Sequence, residues 1–130
     1  MNGLRFLDTN ILLYSISRDP AEAPKREVAI ALLDTENVAL SVQVLHEFYV
    51  QATRTTRPDA VAHEIAVGLV HTWLRFKVQD ITLPVMIDAL EMKATYGLSY
   101  WDAAIVAAAR SLGCRNGREI EGVQINNPFR

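Results

Sequence analysis

The feature that most constrains this chain is a repeated junction at which a short apolar run stops at a helix-capping residue and a helical pattern begins at once. Leu4-Arg5-Phe6-Leu7 ends at Asp8-Thr9-Asn10, residues that favour turns and N-caps, and the apolar stretch Ile11 to Ile16 follows. Val38-Ala39-Leu40 ends at Ser41, ahead of a helix from Val42 to about Thr55. Lys77-Val78-Gln79-Asp80-Ile81 ends at Thr82, ahead of a helix from about Pro84 to Tyr96 that Gly97 stops. Strands separated by helices pair through crossovers rather than hairpins. The expected fold class is therefore α/β, a central parallel β-sheet flanked by helices on both faces.

Helical spacing fills the intervals. Glu22 to Asp34 carries Val28, Ala31 and Leu32 at helical intervals, and Leu45, Phe48, Tyr49 and Ala52 share one face of the helix after Ser41. Pro58 suits a first helical turn, and Val61, Ile65, Leu69 and Trp73 carry that helix to about Phe76. Ser99 caps a further helix predicted to bury Trp101, Ile105, Ala108 and Leu112 before Gly113, and Gly122-Val123-Gln124-Ile125-Asn126 reads as a last strand. With 130 residues, 50% of them hydrophobic, and no linker or repeat, residues 1–130 are expected to form a single domain. The net charge of -2 supplies no basic field, although local clusters rather than totals bind phosphates. One cysteine, Cys114, and the scattered His46, His63 and His71 give neither a disulfide nor zinc spacing. No run is apolar enough to span a membrane and the N-terminus lacks a signal-peptide pattern, so the expectation is a soluble cytoplasmic protein.

Three acids invite chemical questions. Asp8 ends the first strand, where ligands bind in open parallel sheets, but the same position suits an N-cap. Glu47 shares a helix side with Gln43 and Val44, and a solvated position is the simpler reading. Asp102 is third after Ser99, which satisfies a capping box with Asp in place of Glu or Gln. Each taken singly has a structural explanation. Gathered in one pocket, however, carboxylates repel one another unless a cation neutralises them, and hard oxygen ligands suit Mg²⁺ or Mn²⁺. Arg54, Arg57 and Arg110 are candidate phosphate contacts or ordinary surface charges, and Tyr14 and Trp73 are candidate aromatic contacts or core residues.

Phe6-Leu7-Asp8-Thr9-Asn10-Ile11-Leu12-Leu13-Tyr14, Ser41-Val42-Gln43-Val44-Leu45-His46-Glu47-Phe48-Tyr49 and Leu98-Ser99-Tyr100-Trp101-Asp102-Ala103-Ala104-Ile105 resemble the three signature blocks of PIN-domain nucleases. The closing Ile125-Asn126-Asn127-Pro128-Phe129 resembles that of many bacterial toxins of the VapC type. The resemblance implies a Mg²⁺- or Mn²⁺-dependent endoribonuclease, one half of a toxin–antitoxin pair, leaving a 5′-phosphate and a 3′-hydroxyl. It assigns Asp8 and Asp102 to the metal, Glu47 to the acid that completes the catalytic set, and Thr9, Asn10 and Ser99 to supporting positions. Its implied partners are an RNA substrate, a VapB-type antitoxin that offers an Arg or Lys to the acids, and a second copy in a homodimer.

One stretch departs from the pattern. Where the family has a further strand and an acidic turn, Gly113-Cys114-Arg115 runs straight into Asn116-Gly117, and Glu119 and Glu121 fall on the wrong side of the turn. Loss of a central strand would strand backbone polar groups, so further residues are expected between Cys114 and Gly117, betrayed by a Cα separation well beyond about 3.8 Å. A shortened pocket would favour the alternative of a nuclease-inactive PIN scaffold that binds RNA or a protein without cleavage. An aspartyl-phosphate phosphatase built on Asp8 would need a second acid two residues on, where the chain has Asn10.

Overall fold

A computed structural model gives the architecture, and the structure describes residues 3–113. Strand β1 (Arg5–Phe6) leads through Asp8 into helix α1 (Thr9–Ser15), and a single 3-10 turn (Pro20–Glu22) precedes α2 (Ala23–Leu33). Strand β2 (Val38–Ser41), helices α3 (Val42–Ala52) and α4 (His63–Trp73), strand β3 (Lys77–Gln79), and helices α5 (Leu83–Tyr96) and α6 (Tyr100–Ser111) follow. The sheet runs β1-β2-β3, all parallel, with Phe6 opposite Ala39 and Ser41 opposite Gln79. This is the expected α/β domain, a parallel sheet flanked by helices.

The capping chemistry read from the sequence operates as expected. Ser41, Thr82 and Ser99 side chains accept hydrogen bonds from the Val44, Val85 and Asp102 N–H groups, and each fixes the point at which a helix begins. Gly97 closes α5 in the left-handed conformation at φ 69°, which a side chain disfavours. β2 is buried along its whole length, and α6 presents Ala103 through Ala109 inward, so that small side chains let it lie close to the sheet and to α5. Phe6, Leu7, Ile11, Leu12, Leu40, Val44 and Phe48 form the centre of the core.

Several boundaries and faces differ from the expectation. Pro58 does not open a helix; the chain stays irregular to Ala62 because Arg57 pairs with Asp59 at 2.7 Å and the Val61 N–H bonds to the Ala52 carbonyl at 2.9 Å. α2 packs through Ala29 and Leu33, leaving Val28 exposed, and α4 packs through Ala66 and Trp73, leaving Ile65 exposed. In both cases two apolar stripes adjoin on one helix and the tertiary packing chooses between them. Trp73 is a core residue, set edge-on against Phe48 at 4.8 Å, whereas Trp101 is 61% exposed rather than buried. The Cys114–Gly117 stretch, Glu119, Glu121 and the strand expected over 122–126 lie outside the described residues.

Candidate active site

β1, β2 and β3 point their carboxyl ends the same way, so the turns that leave them meet at one edge of the sheet. Asp8 occupies the turn after β1. Its backbone is extended, as an N-cap requires, but its side chain makes no capping hydrogen bond to α1. The residue is only 3% exposed. A buried carboxylate carries a desolvation penalty, and a capping role does not offset it here. Capping therefore fails to account for Asp8.

The next residue supplies the link to α3. Thr9, itself buried, donates its hydroxyl to Glu47 Oε1 at 2.8 Å across 38 residues of sequence. Gln43, one turn earlier on α3 and also buried, places its side-chain amide 3.4 Å from Glu47 Oε2. Glu47 is thus half-buried and held at both oxygens, not the solvated surface acid that helical spacing suggested. The same Gln43 amide donates to the Trp101 carbonyl at 3.3 Å and so ties α3 to the first turn of α6. Gln43 was not singled out as a site residue; the available signal was its i, i+4 relation to Glu47, which puts both on one side of the helix.

Asp102 sits in that first turn of α6, half-buried, with its N–H capped by Ser99 Oγ at 3.2 Å. The forward half of the expected capping box therefore forms, with Ser99 in the supporting role. Asn10 is exposed on α1. A continuous path of contacts runs from the Asp8-Thr9 turn through Glu47 and Gln43 to the Trp101-Asp102 turn. It brings the three acid-bearing segments to one edge.

The arginines lie elsewhere. Arg54 is exposed just beyond the carboxyl end of α3, and Arg57 is committed to Asp59. Arg110 is in the last turn of α6, 3.9 Å from Asp88 and, at 1.5 Å rise per residue, about 12 Å along the helix from Asp102. None of the three takes part in that path of hydrogen bonds. Burial pushes the Asp59 carboxyl up, but the Arg57 charge, the Arg57 hydrogen bond and the Arg18 N–H outweigh it and hold it below its ordinary value.

Among the described residues no three His, Cys, Asp or Glu side chains lie close enough to hold a metal ion together. A closed, all-protein cage is therefore not what these residues form. The donor chemistry fits a hard cation held sparsely: Mg²⁺ commonly takes one or two carboxylates and completes its shell with water and phosphate oxygens. Asp8 and Asp102 are the residues that would hold it.

An α/β domain whose acid-bearing segments lie at the edge where parallel strands end belongs to the large class that does its chemistry at that edge. The chain matches the PIN domain family over residues 5–116, most of its length, and belongs to that family. Members of this family are generally nucleases. No curated protein matches the chain at a significant level. No described helix is long and apolar enough to cross a membrane.

Proposed function

We propose that this chain is a Mg²⁺- or Mn²⁺-dependent endoribonuclease and the toxin half of a type II toxin–antitoxin module. The observation that carries the nuclease reading is the Thr9–Glu47 hydrogen bond, which joins the turn that follows β1 and holds Asp8 to an acid on a different helix. A bound divalent cation supplies neutralisation of phosphate charge and acidification of water. On this reading Glu47, held at both oxygens by Thr9 and Gln43, accepts a proton from the attacking water. The water's oxygen bonds to phosphorus while the P–O3′ bond breaks, and the released 3′-oxygen takes up a proton from solvent water. The products are a 5′-phosphate and a 3′-hydroxyl.

Of Arg54, Arg57 and Arg110, Arg54 is the one best suited to a flanking phosphate, because Arg57 and Arg110 each face an acid. The antitoxin is expected to occupy the acid pocket with an Arg or Lys, in competition with the metal, and a second copy is expected in a homodimer. One observation favours the rival reading of a binding scaffold without nuclease activity, namely the absence of a three-acid cluster among the described residues. Incubation of a structured RNA pool with Mg²⁺ or Mn²⁺, alongside EDTA and Asp8→Asn, separates the two. Cleavage lost in both controls supports the nuclease; an inert wild-type chain free of antitoxin supports the scaffold.

A further inference from the structure

Among the described residues Trp101 is the most solvent-exposed large aromatic side chain at the acid edge, and its backbone is tethered there. It is 61% exposed, yet its backbone carbonyl accepts from the buried Gln43 amide at 3.3 Å, and its ring meets Tyr100 edge-on at 5.1 Å. It is bonded directly to Asp102 and shares Gln43 with Glu47. Exposed apolar side chains, Ile81 at 60% and Met86 at 40%, adjoin it around a small cleft also lined by Gln43 and Tyr100. Exposing an indole has no value for folding, since a tryptophan contributes to stability through the area it buries.

We propose that Trp101 is a stacking platform for one unpaired nucleobase of the RNA, next to the phosphate that the acids address. The proposal rests on the ribonuclease reading above and adds to it a subsite for a base. The cleft beneath the ring has a volume of about 40 Å³, room for a water or two and not for a base, so the base lies on the indole rather than in the cleft. Stacking needs no particular base, because every base has a π-face, and it needs the base to be unpaired. The chain therefore selects single-stranded segments at this position.

The test is binding in EDTA, where cleavage does not intervene, of a labelled random-sequence single-stranded RNA pool and of a self-complementary RNA duplex. Trp101→Ala should weaken single-strand binding about 5- to 150-fold, with Trp101→Phe recovering part of the loss and duplex binding unaltered. The fold-loss should persist as salt is raised, because stacking releases no counterions. Single-stranded RNA should also quench wild-type tryptophan emission, and Trp101→Phe should remove that response, since Trp73 is buried. Equal affinity of wild type and Trp101→Ala for the single strand overturns the proposal. So does a change in sedimentation mass of Trp101→Ala with RNA affinity unaltered, which assigns the face to a second copy. A wild-type chain that binds no RNA overturns this proposal and the ribonuclease reading together. Metal-dependent cleavage abolished by Asp8→Asn, alongside a null result at Trp101, removes only the stacking subsite.

Discussion

Replacing Thr9 by valine isolates the bond that ties the start of α1 to Glu47 on α3. The two side chains have nearly the same shape, so the change deletes one hydroxyl from a buried position without opening a cavity. What is lost is a 2.8 Å hydrogen bond to a carboxylate, and bonds to charged groups contribute about 1.5–3 kcal/mol. Glu47 is half-buried, so water can partly replace the hydroxyl, which places the loss near the lower end, about 1.5 kcal/mol. For a chain of this length that corresponds to a fall in Tm of about 5 °C. Urea unfolding of Thr9→Val, Glu47→Gln and the double variant measures the coupling directly, and Thr9→Ser, which retains the hydroxyl, should restore most of the stability. The expected coupling energy is at least about 0.5 kcal/mol. If the two substitutions add with no coupling, the bond does not organise Glu47 and the reasoning fails.

Three further outcomes follow from the packing. Phe48→Ala removes a fully buried ring set against Trp73 and should lower stability by about 3–5 kcal/mol, read by denaturant unfolding; a loss under about 2 kcal/mol contradicts the central role of this pair. Gly97→Ala meets no atom within 4 Å of the new Cβ, so its whole effect is the left-handed backbone, about 1–2 kcal/mol in the urea midpoint with the slope unchanged. The Asp59 carboxyl titrates below its ordinary value of 3.8 in the folded chain, so its stabilising effect is present above that pH and fades as pH falls through the lowered value. Asp59→Asn should therefore destabilise the chain near neutrality and make its acid limb shallower, and parallel acid limbs for variant and wild type would rule out the Arg57–Asp59 account.

The junctions from strand to helix were legible because they depend on local chemistry. A serine or threonine that caps its own helix needs only the N–H three residues on, so Ser41, Thr82 and Ser99 could be placed without knowledge of the rest. The start of α4 was not legible, because residues 57–61 are held by Asp59, Arg18 and the Ala52 carbonyl, contacts that span up to 41 residues. Helix faces were ambiguous wherever two apolar stripes adjoin, as at Val28 and Ala29. Trp101 misled for a related reason: its spacing from Ile105 matches a buried stripe, but it lies in the first turn, where the helix has already reached the rim of the fold. At the site, Asp8, Glu47 and Asp102 could be suspected as residue types, yet periodicity could not show which polar side chains join their segments. Thr9 and Gln43 do so, and each acts across a separation that no local pattern records.

The same long separations set when the site comes into being. Residues 8, 47 and 102 belong to segments that meet only after α6 has docked, since the Gln43 tether ends on the Trp101 carbonyl. A growing polypeptide that has made α1 and α3 already carries two of the three acids but lacks their partner turn. Contacts of this span form late, and during synthesis they wait for α6 to emerge. The ribonuclease proposed above would be made beside the messenger and the ribosome that it could cut. Placing one acid so far along the chain delays the completed site until most of the polypeptide has emerged.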